Sequence, residues 1–199
     1  MVNKLKEVEL IIGDELEDGI TAMGFVKYAA IEENLVYFGD EKMNYTFGVE
    51  DEEQGIIVSP ALIADKRIFR FNPITNEEYN VYFSAETIGQ LSQKFFTSNN
   101  HKNTTEQHET PVNDIDLIYS WIVQNEHDQI MTKYGFKDIT VGSWVVAYKI
   151  NNEDIKAKIK SGEIRGISIE AFLSENYDKD FLSDMNIVNE IKALLSEIK

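Results

Sequence analysis

Gly162-Glu163-Ile164-Arg165-Gly166-Ile167-Ser168-Ile169-Glu170-Ala171-Phe172 is an apolar strand pattern interrupted by one serine and, two residues on, by one carboxylate. Side chains of a strand point alternately to its two faces. Ile167, Ile169, Ala171 and Leu173 therefore fall on one side, and Ser168 and Glu170 together on the other. Two rises of ~3.3 Å separate that pair by about 7 Å along the strand. The plain reading is a serine on the wet face of a half-exposed strand; the sharper one is a nucleophile with an acid beside it.

Immediately upstream, Asn152 to Ser161 predicts a short helix with an Asn cap, acids at Glu153 and Asp154, lysines toward its end and Gly162 after it. Ser143 to Ile150 and Asp114 to Gln124 predict two more strands, whose tryptophans, Trp144 and Trp121, read as core residues on neighbours. In the second of these, Ile115, Leu117, Tyr119, Trp121 and Val123 share one face. Glu126 to Tyr134 predicts a short helix ended by Gly135. Thr97 to Asn113 is the most polar stretch, too poor in apolar residues to bury itself, and predicts a mobile loop holding His101 and His108.

Ser84 predicts the N-cap of a helix on which Ile88, Leu91 and Phe95 recur at helical spacing, with Glu86 in the first turn. Residues 1–83 read as strands and turns, among them Val8 to Ile12, Met23 to Val26, Leu35 to Phe38 and Gly55 to Ala64. Pro60 marks an edge or a bulge in the last of these, because it lacks the ladder N–H. Arg67 to Phe71 and Tyr79 to Phe83 flank a hairpin turn. At the other end, Ile187, Ile191, Leu194, Leu195 and Ile198 form the apolar stripe of an amphipathic helix. The organisation expected is one body over 1–174 and a helical tail over 175–199.

The chain has 199 residues, of which 43% are hydrophobic, which suffices for one core and excludes a wholly disordered chain. No apolar stretch approaches the ~20 residues of a membrane-spanning helix, and the charged start Met1-Val2-Asn3-Lys4-Leu5-Lys6-Glu7 lacks a signal's apolar region, so neither membrane nor export is expected. Thirty-five acidic against 19 basic residues give a formal charge of -16, which argues against nucleic acid as a partner and reads as a source of solubility, of repulsion from DNA or of attraction to basic protein segments. With no cysteine, disulfides, thiolate nucleophiles and cysteine-based metal sites are excluded. No His-Glu-x-x-His and no phosphate-binding loop is present, so no metal or cofactor is expected.

A serine nucleophile needs a base within hydrogen-bond reach and a third group to orient that base. Of His101, His108 and His127, position favours His108, just before the strand that starts at Asp114. No Gly-x-Ser-x-Gly elbow surrounds Ser168, so an α/β-hydrolase is not indicated. Ser120 and Ser143 are weaker candidates, each beside a bulky core residue with no acid two positions away.

The order of several segments resembles the XkdF-like phage prohead serine protease family, relatives of the procapsid maturation proteases of tailed phages. These segments are Val58-Ser59-Pro60-Ala61-Leu62-Ile63 with Ile68-Phe69-Arg70, Tyr82-Phe83-Ser84-Ala85-Glu86-Thr87-Ile88, Glu106-Gln107-His108-Glu109, Ser120-Trp121-Ile122-Val123, Gly142 to Lys149 and Gly162 to Phe172, together covering about residues 55 to 174. Gly24-Phe25-Val26-Lys27-Tyr28-Ala29-Ala30-Ile31-Glu32 resembles a degraded form of a Pro-Ala-containing element in such proteins, with the proline missing here.

The resemblance implies an α+β fold like herpesvirus assemblin, a mixed, mostly antiparallel β-barrel wrapped by helices. It also implies His108 as base and Ser168 as nucleophile, with an acid as third member. Glu170 is the first choice for that acid because it shares the face of Ser168, with Asp114 and Asp116, on the strand after His108, as alternatives; backbone amides or a water held by Arg165 are the candidates for oxyanion support. The implied substrates are phage scaffold and major capsid proteins, inside the procapsid in the host cytoplasm, with self-association or self-cleavage as further partners of the site. A non-catalytic procapsid-core or scaffold-associated binding protein is the alternative from a different class.

Overall fold

The computed structural model of the chain describes residues 5–13, 18–29, 48–51, 55–72, 75–130, 134, 136 and 138–176. The expected strand at Leu35 to Phe38 and the amphipathic tail lie outside these residues, as do residues 131–133 of the expected helix Glu126 to Tyr134, whose described residues 126–129 form turns instead of helix.

The described residues form an α+β body of three four-stranded sheets. The first sheet joins β1 (Lys6–Ile11), β6 (Glu77–Tyr82), β5 (Ile68–Asn72) and β12 (Ser174–Asn176) in the order β12-β1-β6-β5. The second joins β3 (Gly48–Asp51), β4 (Ile56–Leu62), β10 (Trp144–Ile150) and β9 (Ile115–Ile122) in the order β3-β4-β10-β9. The third, which carries the residues of interest, has the order β11-β2-β7-β8, with β11 (Gly166–Phe172), β2 (Gly19–Val26), β7 (Thr104–Glu106) and β8 (Thr110–Pro111). Pairing is antiparallel except for β1 with β6 and β2 with β7. The body reaches past position 174, since β12 pairs with β1 out to Asn176.

The expected closed barrel is not formed among the described residues; the ladders end in separate sheets. β4 comes close to β11, yet no ladder joins the two. Pro60 lies opposite Val145, where the β4–β10 register shifts, and beyond the stretch of β4 that β3 covers. Without an N–H, it cannot donate to a ladder, and its carbonyl accepts from the Ser59 hydroxyl at 3.0 Å.

Apolar burial follows from strand position. The run Trp144 to Ile150 of β10 is buried on both faces, as a near-continuous apolar strand in a sheet centre must be. Trp144, Val146, Tyr148 and Ile150 join the main core, and Val145 and Ala147 join a smaller one with Val58, Val123 and Ile139. Trp121 is half-buried beside it, so only Trp144 is a full core residue. In β9 the expected alternation slips. The register shift opposite Ala147 and Tyr148 skips Ile118, and Tyr119 turns out to solvent at 60% exposure.

Helix α1 (Ala85–Thr97) starts as its sequence predicts: the Ser84 hydroxyl accepts the Thr87 N–H at 3.2 Å. The helix buries Ile88, Leu91 and Phe95, the last edge-on to Trp144 with centroids 5.6 Å apart. Phe25 of β2 meets Tyr148 of β10 in the same edge-on way at 5.5 Å, locking the third sheet onto the second.

Burial pushes the Tyr148 phenol well above its ordinary value, and its hydroxyl has no hydrogen-bond partner among the described residues. Tyr148→Phe keeps the ring contact and removes the orphan hydroxyl, which costs about 1–3 kcal/mol when buried unpaired. Urea unfolding is expected to show this variant at least as stable as the parent, whereas Phe25→Ala loses about 3–5 kcal/mol.

Candidate active site

Helix α2 (Glu153–Lys160) delivers the chain into β11. Asn152 caps it, its side-chain oxygen accepting the Ile155 N–H at 3.1 Å, and Gly162 leaves it at φ +74°, a conformation that suits glycine. The Arg165 N–H then donates to the Val26 carbonyl at 2.9 Å, and β11 runs antiparallel to β2. In this register Ser168 lies opposite Gly24 and Glu170 opposite Ala22. Opposed residues point to one face, so the serine and the glutamate look out over a glycine and an alanine of β2. Ser168 retains 7% of its surface, which removes the reading of a solvated strand hydroxyl.

The histidine comes from the other side of β2. β7 pairs parallel to β2 with Thr105 opposite Gly24, and the chain turns at Gln107 and His108 into β8. Both turn residues have positive φ, 53° and 62°, and the Glu109 N–H donates to the Glu106 carbonyl at 3.0 Å, the features of a type I′ turn. Two non-glycine residues in the left-handed region cost about 1–2 kcal/mol each, and the hairpin is held by bonds to its neighbours. The Gln107 N–H donates to the Phe25 carbonyl at 3.0 Å, and the Gln107 side-chain oxygen accepts from the Lys27 N–H at 3.2 Å.

Lys158 of α2 reaches both Glu106 oxygens, at 2.7 and 2.9 Å, and Asp154 at 2.8 Å. Hydrogen bonds to Asp154 and then Glu106 raise the Lys158 pKa above its ordinary value. The helix that leads into the serine strand is thereby tied to the turn that carries the histidine.

The imidazole lies against Gly24. A Cβ added there would sit 2.5 Å from His108 Cε1 and 2.6 Å from Nδ1, so the ring fills the side-chain slot directly across the ladder from Ser168. His108 Nδ1–H donates to Glu170 Oε1 at 3.1 Å, and the Thr105 hydroxyl donates to the same oxygen. An ionised carboxylate only accepts, which puts the neutral ring's proton on Nδ1 and leaves Nε2 as the acceptor nitrogen.

Three residues singled out in the sequence, Ser168, His108 and Glu170, thus converge on one face of one sheet. The alternative acids do not. Asp116 is in the second sheet, where it accepts from the Asn151 amide at 3.0 Å, and the Asp114 carbonyl binds the N–H groups of Asn151 and Asn152. Arg165 turns back, its Nε donating to the Gly162 carbonyl at 2.6 Å. His101 stacks on Phe96, and His127 sits in the exposed turn after β9. The Ser120 hydroxyl accepts from the Trp144 indole at 2.8 Å, and the Ser143 hydroxyl accepts from the Ala64 N–H at 3.1 Å, so both are structural.

The expected mobile loop over Thr97 to Asn113 is instead a 3-10 turn (Asn100–Lys102), β7 and β8. Its polar side chains are what fix it: the Asn100 and Asn103 amides donate to the Ile20 and Thr21 carbonyls, each at 2.9 Å, and the Thr104 hydroxyl donates to the Val112 carbonyl at 2.7 Å. Gly24 and Thr105 are the site residues that sequence reading missed; a glycine inside the apolar run Met23 to Val26 was the available signal.

No three His, Asp or Glu side chains cluster as a metal ion would require among the described residues, and no described helix is long and apolar enough to cross a membrane. Residues 68–177, more than half of the chain, match the family model described as "Putative phage serine protease XkdF". No curated protein and no solved structure matches the chain.

Gly24→Ala places a methyl group inside the present position of the imidazole. The expected result is a folded protein in which His108 has left Glu170, seen by NMR as a moved His108 Cε1–H resonance and a lost Nδ1–H signal. An unmoved spectrum would show that the slot tolerates a side chain.

Proposed function

The chain belongs to the phage serine protease XkdF family, and we propose that it cleaves scaffold and capsid protein segments within the assembling procapsid by acyl transfer on Ser168. The single observation that carries this reading is the imidazole of His108, hydrogen-bonded to Glu170 at 3.1 Å while seated over Gly24, the ladder partner of Ser168. On the same reading the three sheets are an opened relative of the assemblin-type barrel.

His108 Nε2 takes the Ser168 proton as Oγ bonds to the scissile carbonyl carbon. Glu170 holds the ring by its Nδ1–H and stabilises the imidazolium that forms. Collapse of the tetrahedral intermediate breaks the C–N bond, and the proton on Nε2 passes to the leaving amine. Water then adds to the acyl-enzyme with His108 again as base, the ester C–O bond breaks, and Ser168 recovers its proton as the new carboxylate departs.

Burial suits each role. Ser168 is nearly enclosed, whereas the side chains of His108 and Glu170 keep 36% and 28% of their surface, enough to admit a substrate chain from above. The acidic surface, at -16 overall, favours basic peptide segments over nucleic acid.

Co-expression with the phage scaffold and major capsid proteins tests the reading by mass spectrometry of the products. Cleavage is expected with the parent chain and absent with Ser168→Ala. His108→Ala is expected to lower the rate by about 10⁶-fold and Glu170→Gln by about 10⁴-fold, since a base that acts as one unit with its nucleophile loses nearly the whole effect singly and the orienting acid somewhat less. Cleavage that persists in Ser168→Ala removes the nucleophile assignment, and intact substrates with a folded parent chain favour a binding role.

A further inference from the structure

Beside Ser168 lies a cleft of about 180 Å³, between the outer edge of β11 and the strands β4 and β5. Leu10, Leu62, Ile68, Phe83, Ile169 and Leu173 make most of its wall, and Ser168 and Arg70 are the polar residues in its lining. A cavity of about 150 Å³ with an apolar lining accepts a benzene-sized group. The space is therefore sufficient for one branched aliphatic or aromatic side chain.

Two features of β11 say how a peptide would bring that side chain there. β11 is an edge strand of its sheet, so among the described residues no ladder satisfies its outer row of backbone N–H and C=O groups. Its burial falls steadily from Gly166–Ser168 to Phe172, which is 61% exposed, so the edge opens to solvent downstream of the serine. An extended peptide added to such an edge gains main-chain hydrogen bonds and sends alternate side chains to the two faces. The residue level with Ser168 stays on the His108 face. Its neighbours point to the other face, where Ile167, Ile169, Ala171 and Leu173 line the cleft.

We propose that this cleft is a substrate subsite that takes an apolar side chain of an extended peptide paired to the edge of β11, one residue away from the position level with Ser168. The inference rests on the protease reading for its substrate, and its geometry makes the chain selective for apolar residues beside the cleaved bond. Ala171 and Leu173 set the size of the pocket. Ala171→Leu fills it, and Leu173→Ala enlarges it.

Two measurements on the full chain separate this from the protease reading. In the first, the Ser168→Ala chain is titrated by fluorescence anisotropy with labelled extended peptides that differ only by Leu, Phe or Asp at a single position. Leu is expected to bind at least tenfold more tightly than Asp; Ala171→Leu in the same background should erase that difference, and Leu173→Ala should shift the preference toward Phe. In the second, the parent chain digests a denatured proteome, and the sites read by mass spectrometry should show Leu, Ile, Met or Phe adjacent to the cleaved bond. Equal binding of Leu and Asp peptides, or a preference that neither variant moves, overturns the subsite even if proteolysis occurs. Discriminating binding without any cleavage overturns the protease reading and leaves the cleft as a peptide-binding site.

Discussion

The site depends on a vacancy of side-chain volume at Gly24. β2 is the strand between the serine and the histidine: β11 pairs with one of its edges and β7 with the other. Any side chain at position 24 would occupy the space where the imidazole lies, with a Cβ only 2.5 Å from Cε1. Because that space is open and Ala22 is small, Glu170 reaches across from β11 to meet Thr105 and His108 from the β7 side. A three-strand row of Ser168, Gly24 and Thr105 therefore brings the serine, the imidazole and the carboxylate to one face of the sheet, with backbone pairing setting the spacing.

Holding the histidine over that row takes a strained turn. Gln107 and His108 both stand at positive φ, where Asn and Gly are the usual occupants, and the cost is met by anchoring on both flanks. Gln107 binds β2 through its N–H and its side chain, and Glu106 is gripped by Lys158. Lys158 and Glu106 each keep about one quarter of their surface, so solvent screens their pair, which orients more than it stabilises. Its value is positional, because Lys158 belongs to the helix that leads directly into β11. Ser168 and His108 sit 60 residues apart in sequence, and the two segments that deliver them are bonded to each other before either reaches the site.

Much of the fold was legible where local chemistry agrees with tertiary demand. Ser84 and Asn152 cap helices as their positions suggest, the apolar run Trp144 to Ile150 is a buried central strand, and Pro60 sits at a register shift. Ser168 and Glu170 share a face because strand alternation allows nothing else. The polar stretch before Asp114 was misread because its order comes from long-range partners. Asn100, Asn103 and Thr104 satisfy the backbone of β2 and of the following strand, and Gln-His is an atypical pair for a type I′ turn. Closure of the sheets into a barrel was likewise not legible, since it depends on which strand edges meet in space, and the edge of β11 beside β4 stays unladdered among the described residues.

The most direct measurement of whether Ser168, His108 and Glu170 act as one unit is covalent capture by a serine-directed fluorophosphonate, read by peptide mapping. A working triad gives a single adduct on the peptide containing Ser168, lost in His108→Ala and strongly slowed in Glu170→Gln, with folding unchanged by circular dichroism. An adduct on another serine, or labelling of Ser168 that is indifferent to His108, would contradict it.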